Sequence, residues 1–283
     1  MIKVDDLRYT YQKNDAPTVK GLSFNIAEGE IFGFLGPSGA GKSTTQNVLT
    51  KLLRNYKGQI SVLNRELHNW DNTYYEHIGV GFELPNHYLK LTAKENLALL
   101  STFYKRPVQK PMELLAMVGL EHDADKKVSD FSKGMKMRLN FVRAYMHNPE
   151  ILFFDEPTTG LDPVNAKRIK DIILDLKSQG KTIFVTTHNM YDADRLCDRV
   201  AFILDGEIKL IDQPKKLKLR YGERKVKVEY TNGQTFIKEF ALDNLGDNMD
   251  FMDILKSTRI DSIHTEEATL EDIFIKVTGR NLL

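Results

Sequence analysis

Residues 31–43 read IFGFLGPSGAGKS, and the fold turns on them. Ile31–Leu35 is continuously apolar, the pattern of a strand buried on both faces, as in a parallel sheet covered by helices. The next eight residues, Gly36, Pro37, Ser38, Gly39, Ala40, Gly41, Lys42 and Ser43, fill every fixed position of G-x-x-x-x-G-K-[ST]. Beyond them Val48, Leu49, Leu52 and Leu53 recur at helical spacing. Strand, glycine-rich turn and helix, in that order, make a phosphate cradle. Glycines let successive backbone N–H groups curl around phosphate oxygens without a Cβ in the way, and the new helix adds partial positive charge at its N-terminus. Lys42 is placed for the β- and γ-phosphates, the Ser43 hydroxyl for Mg²⁺, and Thr44 extends the nucleotide contacts. The plainer reading, a glycine-rich turn with an incidental lysine, does not explain the strand before it and the helix after it.

Two more runs look like buried strands, Ile151–Phe154 (ILFF) and Thr182–Thr186 (TIFVT). Between them Ile169, Ile172, Ile173 and Leu176 share one helical face, so strands alternate with helices as in a parallel α/β sheet. Leu22–Ile26 alternates apolar and polar residues, as a half-buried strand does. From about Thr92 to Met146 no strand pattern emerges and the chain reads as helical. The composition shifts near Asp212: Val226, Val228 and Tyr230 alternate with charged residues, and Asn232-Gly233 offers a tight hairpin turn. Near the end Leu270, Ile273, Phe274 and Val277 form an apolar stripe, preceded by Thr269 and Asp272 at capping-box spacing.

The bulk properties exclude some classes. Of 283 residues 41% are hydrophobic, enough for one large domain and a small appendage. Forty Lys and Arg stand against 39 Asp and Glu, which gives no overall pull toward nucleic acid or anionic lipid. No run approaches the roughly 18 apolar residues a membrane-spanning helix needs. Met1–Asp6 carries two acids and no apolar stretch, unlike a signal peptide, and the lone cysteine, Cys197, has no partner for an internal disulfide. Any work at a membrane is therefore expected to run through a partner.

ILFF leads directly into Asp155-Glu156. An acid closing a buried strand, in a sheet that also bears a phosphate turn, is placed to hold Mg²⁺. The next acid is placed to polarise a water against the γ-phosphate. On their own the pair could equally open a solvated turn before Pro157.

Residues 131–136 read FSKGMK, and Asp155 follows Ser132 by 23 residues. With the phosphate turn and the acidic pair, this segment resembles the signature sequence of the ATP-binding cassette (ABC) ATPases, in the Lys-Gly-Met form of many exporter-type members. The resemblance covers about residues 2–212. It implies a P-loop NTPase (RecA-like) α/β core over residues 1–212, with a helical subdomain at about 86–146 and a small C-terminal α/β accessory domain over 213–283. It implies ATP and Mg²⁺ as ligands, with Glu156, His188 and Lys42 carrying the chemistry. His188 ends the run TIFVTTH, where the family has a switch histidine. Ser132 and Gly134 open a helix that would contact the ATP held by a second subunit, and Asp162, in Gly160-Leu161-Asp162-Pro163, would contact the opposite phosphate turn. Tyr11 matches the aromatic that stacks on adenine, with Tyr9 as its rival. Glu83 stands where the family usually has a glutamine that reaches Mg²⁺ and the membrane partner; a glutamate still offers oxygen, so Ser43, Glu83 and Asp155 form the expected metal set.

The resemblance further implies a dimer of ATP-binding subunits, homomeric or heteromeric, that drives a separate membrane-spanning permease from the cytoplasmic face of the cell membrane. The permease would dock near Glu83–Leu91, and no nucleic acid is expected. The signature and the ending TLEDIFIKVTGR look like those of drug, antibiotic or polysaccharide exporters. Alternatives are an ABC ATPase acting on ribosomes or DNA, which usually carries two cassettes or a coiled-coil insertion, and a regulatory subunit without turnover, which Glu156 and His188 argue against. The basic stretch Lys215, Lys216, Lys218, Arg220, Arg224, Lys225 and Lys227 lacks interleaved aromatics and reads as a solvated face.

Overall fold

The structure is a computed structural model. It describes all residues except 13, 14, 223, 224, 267 and 281–283, with the Glu266 side chain also outside the description; Arg224 of the basic stretch thus lies outside the described residues. The chain separates into two compact units, one of Met1–Gln213 and one beginning at Pro214.

In the first unit the elements run β1 (Ile2–Tyr9), β2 (Val19–Ile26), β3 (Ile31–Leu35), α1 (Lys42–Leu49), β4 (Lys57–Val62), β5 (Arg65–Glu66), β6 (Ile78–Gly81), α2 (Ala93–Ser101) and α3 (Pro111–Met117). They continue with α4 (Lys133–Tyr145), β7 (Ile151–Asp155), α5 (Pro163–Ser178), β8 (Thr182–Thr187), α6 (Met190–Leu196), β9 (Arg199–Leu204) and β10 (Glu207–Asp212). Two sheets result. One is six-stranded in the order β10-β9-β3-β8-β7-β6, parallel from β9 to β6, with β10 antiparallel at the edge. The other is antiparallel, in the order β2-β1-β4-β5.

The apolar runs do what their composition dictates: all of Ile31–Leu35, Ile151–Asp155 and Thr182–Thr187 is buried. Between the sheets lies an aromatic core. Phe24 of β2 stacks on Phe32 of β3 at 5.5 Å, and Phe184 of β8 lies within 5.5 Å of Phe34 and 5.8 Å of Phe153. Such ring pairs add roughly 0.5–1.5 kcal/mol each beyond their area. The α5 stripe is buried at Ile169, Ile172, Ile173 and Leu176, and α5 begins at Pro163, capped by Asp162, six residues before the first of that stripe. Residues 86–146 hold three α-helices, two short 3-10 helices and, as strand pairing, one isolated bridge between Thr92 and Lys127. Helix α4 lies so close over β6 that a Cβ on Gly79 would come within 1.9 Å of the Ala144 carbonyl oxygen.

Strand register positions the site. Leu35 pairs with Thr187 and Asp155 with Thr186, so β3, β8 and β7 end level with one another. Whatever follows those three strands is brought to one edge, the carboxyl edge where open α/β sheets bind ligands.

In the second unit α7 (Pro214–Tyr221) precedes β11 (Lys225–Asn232), β12 (Gln234–Ala241), α8 (Met249–Ser257), β13 (Arg259–Glu266) and α9 (Leu270–Thr278). The sheet order is β12-β11-β13, all antiparallel. Val226, Val228, Phe240, Phe251 and Ile254 make its core. The β11–β12 turn centres on Gly233, at φ +75°, and Thr269 and Asp272 form the expected capping box on α9. The basic stretch divides between α7 and β11, an assignment its charge pattern alone does not reveal.

Candidate active site

The turn after β3 is built for close approach. A Cβ on Gly36 would sit 2.2 Å from the Ile203 carbonyl oxygen, and Gly41 enters α1 at φ +104°, a left-handed conformation. Thr45 Oγ1 donates to the Gly41 carbonyl at 2.9 Å and pins the first turn of α1. Lys42 is buried, and its Nζ donates to the carbonyls of Gly36 at 2.7 Å and Pro37 at 3.0 Å. Burial lowers the Lys42 pKa, while the carboxylates of Glu156, Asp155 and Glu83, in that order, pull it back up. All three sequence-derived acids therefore act on one ammonium.

Asp155 ends β7 beside Thr186, whose hydroxyl donates to Oδ1. Burial raises the Asp155 carboxyl above its ordinary range, opposed first by the Thr186 hydrogen bond and then by one from the Ser43 hydroxyl. Ser43 and Asp155 thus face each other across the turn. Glu83 is exposed and lies two residues past the end of β6, on the same edge.

Glu156 takes up a left-handed backbone at φ +51°, unusual for a non-glycine residue and costing about 1–2 kcal/mol. The surroundings over-determine it. Its N–H donates to the Thr186 carbonyl at 2.9 Å. Its Oε1 accepts from His188 N at 2.9 Å and His188 Nδ1 at 2.7 Å, and its Oε2 accepts from Thr187 Oγ1 and Thr159 Oγ1, both at 3.0 Å. Four donors match the roughly four lone-pair sites of a carboxylate. The Glu156 side chain is 7% exposed and that of His188 56%, so the histidine is the half of the pair that can turn away.

Tyr11 Oη shares a hydrogen bond with Thr44 Oγ1 at 3.1 Å, and the residue is 37% exposed. Tyr9 packs edge-on against it, centroids 5.0 Å apart, and presents less surface. The exposed ring beside the phosphate turn is therefore that of Tyr11.

Ser132, Gly134 and Asp162 are placed elsewhere. Ser132 caps α4 by accepting from Met135 N at 3.2 Å. Asp162 caps α5, accepting from Val164 N, Asn165 N and Asn165 Nδ2, and the Asn165 bond leads in holding its carboxyl below the usual range. A Cβ on Gly134 would meet only Leu161 at 3.5 Å and the Gly160 carbonyl at 3.8 Å, ordinary contacts. Among the described residues, a Cβ at position 134 thus meets no close contact outside its own helix. Among the described residues no hydrogen bond or ion pair joins residues 131–136 to the phosphate turn.

Sequence reading passes over the hydroxyls that hold the carboxylates, Thr159, Thr186 and Thr187, and it passes over Asp192. Only the TTH run around His188 hints at two of them.

A family profile described as "ABC transporter" matches residues 19–159. The fluoroquinolones export ATP-binding protein of Mycobacterium tuberculosis is 52% identical over 284 residues, spanning 100% of this chain and 94% of that one. The chain belongs to the ABC ATPase family. The bacitracin transport ATP-binding protein of Bacillus licheniformis is 32% identical over 99% of this chain and 97% of its own. A dimeric ATP-binding cassette solved in a post-hydrolysis state with ADP and phosphate superposes with a TM-score of 0.69 at 30% identity, covering 75% of this chain and 98% of that one. Residues 224–267 match a profile described as "Fluoroquinolone efflux ABC transporter C-terminal domain". As an ABC ATPase the chain binds and hydrolyses ATP, and the carboxyl edge of its parallel sheet collects the phosphate turn, the Asp155–Glu156 pair and His188. Among the described residues no helix is long and apolar enough to cross a membrane.

Proposed function

We propose that this ABC ATPase is the motor subunit of an exporter, acting as a dimer whose two ATP sites are each completed by the partner's signature helix. The observation that carries the reading is the division of the site. Lys42, Asp155, Glu156 and His188 gather on one edge, while among the described residues no hydrogen bond or ion pair ties the helix start at Ser132 and Gly134 to that edge. The free N–H groups of that helix start suit a phosphate brought by another subunit.

In the proposed reaction Glu156 takes the proton of the water that attacks the γ-phosphorus, and ADP and phosphate are the products. All four acceptor positions of Glu156 are filled, so one bond must open before a water can approach. The His188 side chain, exposed and joined through Nδ1, is the partner placed to swing toward the γ-phosphate. Lys42 neutralises charge on the β- and γ-oxygens, and Tyr11 offers its face to the base. The residues also fit Mg²⁺. Ser43 and Asp155 supply two hard oxygen donors and Glu83 lies near, leaving the other positions to phosphate and water, the mode Mg²⁺ prefers. Bound there, the ion would neutralise phosphate charge.

A membrane partner is supported by an apolar cleft of about 250 Å³ between α1 and the helical region, lined by Leu52, Tyr75, Val80, Leu100 and Phe103. Leu52 and Phe103 are 54% and 68% exposed, and Leu84, Tyr88 and Leu89 in the Glu83–Leu91 segment are exposed as well. Patches of this kind mark interaction sites. The names of the relatives favour an exporter of drug-like or antibiotic molecules. Affinity purification from membranes tests the assignment. An intact polytopic membrane protein should co-purify, and Leu52→Glu with Phe103→Glu should release it while purified-protein ATP turnover persists. Recovery of ribosomes in its place would defeat the transport reading.

A further inference from the structure

We propose that Asp192 is a positioning residue for ATP hydrolysis, clamping the Glu156 loop to the helix that follows His188. The proposal rests on the reading of Glu156 as the base. Asp192 is 5% exposed on the first turn of α6, and it is absent from every motif in the chain. Its Oδ2 accepts from Thr158 Oγ1 at 2.7 Å, in the loop two residues after Glu156. Its Oδ1 accepts from Lys170 Nζ at 2.5 Å, on α5. Its own N–H donates to Asn189 Oδ1, and Asn189 N donates to Thr187 Oγ1, which in turn donates to Glu156 Oε2. A closed circuit results. Glu156 is held by Thr187 and His188 at the start of the β8–α6 connection, and its loop is tied back to that same connection through Thr158 and Asp192.

The circuit addresses a specific difficulty. The loop enters through a left-handed Glu156 and leaves through Gly160 at φ +77°, and the Glu156 conformation persists only because its surroundings hold it. A buried ion pair such as Lys170–Asp192 contributes little net stability, because desolvation offsets the attraction. Its effect here is geometric: it fixes the direction of the Asp192 carboxylate, and with it Thr158. Without that anchor the loop can shift relative to His188, and a displacement of about 1 Å at a reacting group can lower the rate by about 10²-fold.

The test uses the full-length chain. Asp192→Asn removes the charge at constant shape, and Thr158→Val removes only the loop hydroxyl and leaves the Lys170 pair intact. Each should lower kcat about tenfold or more with KM for ATP within about twofold. The double variant should be no slower than the slower single, because both act on the one chain of contacts from Lys170 through Asp192 to Thr158. In a Glu156→Gln background neither should lower the residual rate further. If Asp192→Asn misfolds, shown by a collapsed thermal transition, Thr158→Val still decides the matter. A folded Thr158→Val with kcat within twofold of the parent overturns the proposal, as do effects of the two substitutions that multiply independently. Near-normal turnover in Glu156→Gln alone overturns instead the assignment of the base, and so separates the two failures.

Discussion

Replacing Glu156 by Gln should leave the fold and ATP binding intact and nearly abolish turnover. Gln keeps the length and shape of the side chain. Its Oε1 can still accept from His188 N and Nδ1, and its amide would face the hydroxyls of Thr159 and Thr187. Those hydroxyls can rotate from donor to acceptor, so about two bonds change character, at about 1 kcal/mol each. In a unit of this size that lowers Tm by a few degrees, leaving the protein folded at assay temperature. The chemical loss is larger. An amide cannot take the proton of the attacking water, and losing a general base lowers the rate by about 10²- to 10⁴-fold, or about 3–5 kcal/mol at 1.36 kcal/mol per decade. The assay is steady-state phosphate release at saturating ATP, with nucleotide titration and thermal melting on the same sample. Turnover within a few-fold of wild type, with Tm and ATP affinity preserved, would refute the assignment.

Three further substitutions probe the same edge. Lys42→Ala should weaken ATP binding severalfold or more in a titration, since it removes a charge-assisted contact to phosphate; unchanged affinity would exclude that role. Tyr11→Ala should weaken nucleotide binding by roughly 1–3 kcal/mol while sparing kcat at saturation, with GTP accepted about as well as ATP because a ring face does not read base edges. The same effect from Tyr9→Ala and none from Tyr11→Ala would reverse the choice between them. Gly36→Ala should lower stability by about 1–3 kcal/mol or distort the turn, since its Cβ would lie 2.2 Å from the Ile203 carbonyl; a Tm equal to wild type by calorimetry would show that the turn yields freely.

Much of the parallel core is legible in the sequence because β3, β7 and β8 are buried on both faces and so carry unbroken apolar runs. Each is followed at once by a chemistry-bearing residue, which makes the site candidates legible too. Other strands hide for physical reasons. β6 is four residues long with glycines at 79 and 81, demanded by the approach of α4 and of the Phe154 ring, and glycines read locally as strand breakers. β1 and β4 lie in the half-exposed antiparallel sheet, where bulges interrupt the alternation. The hydroxyls that hold Asp155 and Glu156, and the buried Asp192, gain their meaning from register between strands distant in sequence. No spacing rule along the chain encodes that register.

Completion of each ATP site by a second subunit is tested most directly by ATP-driven dimerisation. In a Glu156→Gln background, which retains ATP, sedimentation with and without nucleotide should show monomer converting to dimer when ATP is added. Gly134→Asp places a carboxylate at the start of α4, where a Cβ meets only ordinary contacts, so the folded monomer and its ATP affinity should be unchanged. Set against a partner's γ-phosphate, the same carboxylate repels it, and the ATP-dependent dimer should be lost. Dimerisation of Gly134→Asp with ATP as readily as its parent would contradict the trans-acting role of Ser132 and Gly134.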